Sequence, residues 1–157
     1  MSENRSTITT KQLANAKFLP HVVALLNEGH TVTLPLRGFS MRPFLEDGRD
    51  KALLKKAKTV SVGDAILAEL YPGHYVLHRI ISIEGNDITL RGDGNLSEEQ
   101  CHLTDVRAIA IGFFRKGRSE ADLTTGWKWR IYSAVWTRLF PIRRYLLFIY
   151  RKLPFRL

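Results

Sequence analysis

The chain has 157 residues, enough for one domain with a single apolar core, and its one cysteine, Cys101, excludes an intramolecular disulfide. The first 18 residues are polar and charged, unlike a secretion signal, and no apolar window is long enough for a transmembrane helix. We therefore expect a protein of a reducing, cytoplasmic compartment, with attachment to the inner face of the membrane as a further possibility.

The formal net charge of +9 is concentrated in the carboxyl-terminal part of the chain. Residues 1–114 carry 13 Lys or Arg and 13 Asp or Glu, whereas residues 115–157 carry 11 basic residues and only Glu120 and Asp122. A neutral body with a cationic tail indicates an anionic partner for the tail, either a membrane surface or a nucleic acid.

A helix is predicted near the start of the chain, over residues 10–28. Thr9 or Thr10 can cap it. The apolar positions that follow form an approximate helical stripe: Leu13, Phe18, Val22, Leu25 and Leu26. Pro20 lies inside the segment and predicts a break or a bend, because an interior proline removes a backbone hydrogen bond.

Short β-strands separated by Gly, Pro and Asn turns are predicted for the middle of the chain. The segments with strand-like patterns are residues 31–36, 51–54, 65–70, 75–83, 88–91 and 106–114. Many short strands after one helix favour a mainly β fold, either a small β-barrel or a folded sheet.

The helical period returns from Trp127 onward, and Pro141 should bend this second helical segment. Eight Lys or Arg and no acidic residue follow position 126, together with many aromatic residues. Trp and Tyr favour the membrane interface, and Lys and Arg favour anionic headgroups, so residues 127–157 are expected to form a basic amphipathic helix that binds an anionic membrane. Packing of its apolar residues on the body is the alternative, and no nucleic-acid motif supports a nucleic acid as partner.

Two residues of the β segment are candidates for catalytic chemistry. Ser40 lies in a constrained turn after Gly38, and a serine nucleophile needs both a base and backbone donors for an oxyanion. His78 lies in a predicted strand, and histidine titrates in the range that suits a general base. Asp93, in a glycine-rich loop, could orient the imidazole. By spacing alone, a serine in a surface turn and a histidine in the core are the simpler interpretation.

Four sequence blocks follow one another in the β segment. They are GFSMRP with DGRD (residues 38–50), VGDAILAEL (62–70), HYVLHRI (74–80) and LRGDGN (90–95). In this order they resemble the signature segments of the signal-peptidase superfamily of serine peptidases, which also holds self-cleaving repressor proteases. The resemblance implies a peptidase-like β domain at residues 29–118. The helical segment at 1–28 precedes this domain, and the basic aromatic tail at 119–157 follows it.

The resemblance also implies catalytic roles. Ser40 matches the nucleophile of the Ser-Met block. Most bacterial members use a lysine as general base, and His78 occupies the corresponding position here, which is similar to the endoplasmic-reticulum type of signal peptidase. Asp93 matches the aspartate of the Gly-Asp block, while Glu98 or Glu99 could serve the histidine instead.

The oxyanion and substrate-binding region is expected at the same turn. Gly38, Phe39 and the Ser40 amide are the candidates for it, and Met41 is expected to pack beneath the turn. A histidine base needs little shift of its pKa to accept a proton at neutral pH, so activity should rise with pH through the histidine range. Neither a metal nor an organic cofactor is expected.

The function expected from these residues is a serine endopeptidase that cleaves a leader or signal-like segment of a peptide or protein. Ser40 and His78 would act as a dyad, or as a triad with Asp93. The alternative is a non-catalytic module that binds an extended peptide by strand addition and is docked on a membrane by its tail.

Overall fold

The structure, a computed structural model, describes residues 17–153, and Thr9, Thr10 and Leu13 of the first predicted helix lie outside this range. Residues 17–27 are helical and are called α1. The strands are β1 (Val32–Pro35), β2 (Lys51–Lys55), β3 (Ala65–Tyr71), β4 (His74–Glu84), β5 (Asp87–Arg91), β6 (Glu99–His102), β7 (Val106–Phe114) and β8 (Asp122–Leu123). Helices α2 (Trp127–Arg138) and α3 (Arg143–Lys152) follow, joined by a 3₁₀ turn at Phe140–Ile142, and a second 3₁₀ turn spans Leu103–Asp105.

The strands form one antiparallel sheet in the order β1-β2-β7-β3-β4-β5-β6, with β8 added to β7. Within residues 17–153 the two ends of this path, β1 and β6, do not pair with each other, so the sheet is open. Register shifts interrupt four of the strand pairs and bend the sheet. The predicted mainly β fold is therefore confirmed, in the form of a folded sheet and not of a barrel closed by hydrogen bonds.

Two apolar clusters lie on opposite faces of the central strand β3. Ala65 and Leu67 belong to the larger cluster, while Ile66 and Ala68 belong to the smaller one. Successive side chains of a strand point to opposite faces, so a strand buried on both sides is apolar at every position. This burial explains the continuous apolar segment in the sequence.

Helices from both ends of the chain cover the larger cluster. α1 contributes Val22 and Leu26, and α2 contributes Trp129, whose ring lies 4.8 Å from that of Phe113 on β7. Burial of one such large side chain contributes about 1.5–3 kcal/mol to stability. The tail is therefore part of the folded body along one face.

The two prolines with predicted effects on helices behave differently. The helical assignment runs through Pro20 without interruption, so the expected break is not found there. A proline lacks only its own N–H, and the amides after it can still form helical bonds. Pro141, in contrast, lies in the 3₁₀ turn between α2 and α3, so the predicted interruption is confirmed.

Candidate active site

Ser40 lies in a tight turn that follows β1. Gly38 has a positive φ of 86°, a conformation that glycine adopts without steric cost, and the Arg42 amide donates to the Phe39 carbonyl at 3.2 Å. Met41 is buried in the larger core cluster, beneath the turn as expected. The Ser40 hydroxyl has no hydrogen-bond partner among residues 17–153, and the side chain is half-buried.

The glycine-rich loop 92–95 supports this turn from below. The Gly94 amide donates a hydrogen bond to the Ser40 carbonyl at 2.7 Å. A Cβ atom at Gly92 would lie 2.4 Å from the Ser40 carbonyl oxygen, and one at Gly94 would lie 2.5 Å from the Phe39 carbonyl oxygen. The glycines of the GDG sequence are therefore required because the two backbones touch.

His78 lies on β4 and is buried, and its Nδ1 forms a hydrogen bond of 2.5 Å with Glu99 Oε2. Because a carboxylate only accepts, the imidazole proton lies on Nδ1 and leaves Nε2 as a hydrogen-bond acceptor. Burial lowers the pKa of His78 below its ordinary value, and the charge of Glu99 opposes this effect. The imidazole is therefore neutral at neutral pH and able to accept a proton.

Ser40 and His78 line the same cavity. This cavity has a volume of about 130 Å³, and Leu36, Met41 and Leu77 contribute apolar walls to it. The serine comes from the turn after β1 and the histidine from β4, so the folded chain brings together two residues that are distant in sequence. The arrangement combines a hydroxyl without a partner and an imidazole with a free acceptor nitrogen.

Asp93 is not the partner of His78. Its carboxylate accepts two hydrogen bonds from Arg79, from Nε to Oδ1 and from Nη2 to Oδ2, both at 2.8 Å. Tyr132 also donates to Oδ2 at 3.0 Å, and the Trp136 indole donates to the Asp93 carbonyl at 2.9 Å. Through these hydrogen bonds, Asp93 fixes the loop that contacts the Ser40 turn.

Of the three carboxylates considered for His78, the structure therefore gives Glu99. Glu98 pairs with Arg91 instead. Glu99 is the first residue of β6. The pairing of β6 with β5 sets the direction of the Glu99 side chain. The expected contact between Asp93 and His78 is therefore not found, because Asp93 forms a charge-assisted pair with the buried Arg79.

The expected oxyanion residues are only partly available. The Gly38 amide donates to Asp47 Oδ1 at 2.8 Å, so it is already occupied. The Phe39 ring is exposed, and the Arg42 guanidinium lies 4.0 Å above its centre. Among residues 17–153, the amides of Ser40 and Met41 have no acceptor, which makes them the available donors at this turn.

The tail helices contact the site, and sequence reasoning missed these contacts. Besides Tyr132 and Trp136 of α2, Tyr150 of α3 donates to Glu46 Oε1 at 2.6 Å, and Glu46 in turn pairs with Arg42 beside the serine turn. In the sequence, these residues were visible only as aromatic side chains that carry a polar group within the tail.

A second cavity adjoins the first. It has a volume of about 250 Å³ and is lined by α1, β1, β3 and β4, with Leu34, Leu67 and Leu77 among its walls. Leu36, Arg37 and Tyr75 border both cavities. Within the described part of the chain, residues 74–78 of β4 pair with β3 on one side only, because the pairing with β5 begins at Arg79.

No protein-family model matches this chain, and no curated protein matches it either.

Proposed function

We propose that this protein is a serine endopeptidase in which Ser40 is the nucleophile, His78 the general base and Glu99 the residue that orients the histidine. The observation that carries the proposal is that Ser40 and His78 line one cavity while Nδ1 of His78 is held by a carboxylate. A base of this kind needs its second nitrogen free and its ring fixed, which the contact with Glu99 provides.

The reaction would proceed through an acyl-enzyme. Ser40 Oγ attacks the carbonyl carbon of the substrate while His78 Nε2 takes the hydroxyl proton. His78 then returns the proton to the leaving amine as the carbon–nitrogen bond breaks. Water, deprotonated by the same nitrogen, hydrolyses the ester and restores the Ser40 hydroxyl. The free amides of Ser40 and Met41 are the donors proposed for the oxyanion.

The substrate proposed is a peptide in extended conformation. The unpaired side of β4 at residues 74–78 offers backbone groups to an added strand, next to the cavity with Ser40. The adjoining cavity with Leu34, Leu67 and Leu77 suits an apolar side chain of that strand. A leader or signal-like segment of a peptide or protein combines both features, and it remains our proposed substrate class.

Incubation with a peptide library, followed by mass spectrometry of the products, tests this proposal. We expect cleavage by the wild-type protein at positions with an apolar residue near the scissile bond, and none by Ser40→Ala. A non-catalytic peptide-binding module is the competing function, because the strand edge alone can hold a peptide. Peptides that are retained by the wild-type protein but never cleaved would favour that module and contradict the peptidase.

A further inference from the structure

The two tail helices pack on the body along one face only. Trp129, Trp136 and Leu147 are buried on that face, and Ser133 receives a hydrogen bond from the buried Arg79. These contacts fix α2 and α3 on the body, so the direction of their opposite faces is also fixed.

The outer faces of these helices are unusually apolar. A helix that packs on a protein body ordinarily presents polar and charged residues to water on its other side. Here Trp127 is 69% exposed, and it is followed one and two turns later by other exposed apolar side chains. The exposed apolar and aromatic residues are Trp127, Ile131, Val135, Ile142, Tyr145, Phe148, Ile149 and Leu153, and we call them the outer tail face.

Cations surround the outer tail face. The exposed basic residues of α2 and α3 are Lys128, Arg130, Arg138, Arg144, Arg151 and Lys152. None of them pairs with a carboxylate among residues 17–153, and the sequence has no acidic residue after position 126. A surface with exposed apolar residues and unpaired positive charges is complementary to a partner that is both apolar and anionic.

We propose that the outer tail face docks on the surface of an anionic lipid bilayer. Aliphatic and aromatic side chains would enter the boundary between headgroups and acyl chains, while the arginines and lysines would contact the headgroups. No helix among the described residues is long and apolar enough to cross a membrane, so the proposed contact lies in the plane of the interface.

Two other occupants fit this face less well. A second copy of the chain, related by two-fold symmetry, would bring the same six cations together without a carboxylate to compensate them. A nucleic acid would be attracted by the charge and by the aromatic rings of Trp127 and Phe148, but the aliphatic residues Ile131, Val135 and Ile149 offer it neither stacking nor hydrogen bonds. Acyl chains, in contrast, match these aliphatic residues.

Helix α3 also adjoins the loop that contacts the candidate active site. A cavity of about 490 Å³ lies between α3 and the loop that follows Asp93, lined by Arg144, Arg151 and Phe148 on one side and by Gly94 and Asn95 on the other. The same loop supports the Ser40 turn through the Gly94 amide. The docking does not depend on the proposed catalysis, and both can be tested separately.

Flotation of the full chain with vesicles tests the proposal. We expect binding to vesicles that contain phosphatidylglycerol, little binding to phosphatidylcholine alone, and release by salt. The double variant Arg144→Glu/Arg151→Glu should bind at least about ten-fold more weakly, because several charges contribute to the attraction. Lys56→Glu/Lys58→Glu, which changes two exposed lysines of another surface by the same charge, should bind like the wild type. Ser40→Ala should also bind like the wild type.

Tryptophan fluorescence gives a second readout at the face itself. Trp127 is 69% exposed, whereas Trp129 and Trp136 are 5% and 8% exposed. Brominated lipids in the anionic vesicles should therefore quench the wild-type protein, and Trp127→Phe should remove most of this quenching. The proposal would be overturned if the arginine variant bound vesicles as well as the wild type, or if the lysine variant lost as much binding. It would also be overturned by self-association through the outer tail face without vesicles, or by preferential binding of single-stranded nucleic acid.

Discussion

Replacement of His78 by glutamine should lower the rate of peptide cleavage by about 10³-fold, because it removes the group that takes the proton from Ser40. Glutamine keeps a polar side chain of similar size in the buried site beside Glu99. The matched control is His102→Gln, an exposed histidine that pairs with Asp87 at 2.7 Å and does not line the cavity with Ser40. The control should retain nearly wild-type activity, as measured by kcat/KM for one peptide.

The pH profile separates a catalytic role of His78 from a structural one. Burial holds the pKa of His78 below its ordinary value, so kcat/KM should be constant through neutral pH and fall only as the pH drops through this lowered pKa. The Glu99 charge raises the pKa of His78, so Glu99→Gln should move the acid limb to lower pH while reducing the maximal rate. An acid limb that stays in place, or moves to higher pH, would contradict this pairing.

Replacement of Arg79 by methionine should lower the free energy of unfolding by about 3–5 kcal/mol, because it leaves the buried carboxylate of Asp93 without its cation. The side chains of this pair are 2% and 1% exposed, and the two hydrogen bonds of 2.8 Å are both lost. Urea unfolding measures the change. Because Asp93 holds the loop beneath Ser40, kcat should fall as well.

An exposed ion pair provides the control for this variant. Arg118 pairs with Asp122 at 2.9 Å, but its side chain is 53% exposed. Arg118→Met makes the same substitution at a solvent-exposed site and should lower the free energy of unfolding by less than about 1 kcal/mol. Equal losses of stability in the two variants would contradict the structural role of the Arg79–Asp93 pair.

The strands that could be predicted from the sequence are those with an apolar pattern. β7 was predicted with the bounds at which it is found, and the predicted bounds of β1 to β5 differ from the observed ones by at most one residue at each end. β6 was missed because only Cys101 is buried among its four residues, and β8 because it has two residues. Pairing with β5 and β7 supplies the strand structure that these polar segments do not indicate by themselves.

Sequence reasoning singled out Ser40 and His78, which line one cavity in the structure, but it could not identify the partners of these residues. Asp93, Glu98 and Glu99 are close in sequence, and only the structure shows which of them contacts His78. Asp93 pairs with Arg79 and Glu98 pairs with Arg91. The partner of Arg79, Asp93, lies 14 residues further along the chain, so the sequence did not indicate this pair. The sequence left open whether the tail packs on the body or binds a membrane, because an amphipathic pattern does not say what covers an apolar face.

The central claim is that Ser40 is a nucleophile activated by His78, and intact-protein mass spectrometry after treatment with a serine-directed acylating probe tests it most directly. The account predicts one adduct on the wild-type protein, mapped to Ser40 by tandem mass spectrometry, and the same adduct on the control Ser61→Ala. Acylation should be absent in Ser40→Ala and strongly slowed in His78→Gln. An adduct that persists in Ser40→Ala, or a wild-type protein that reacts no faster than His78→Gln, would contradict it.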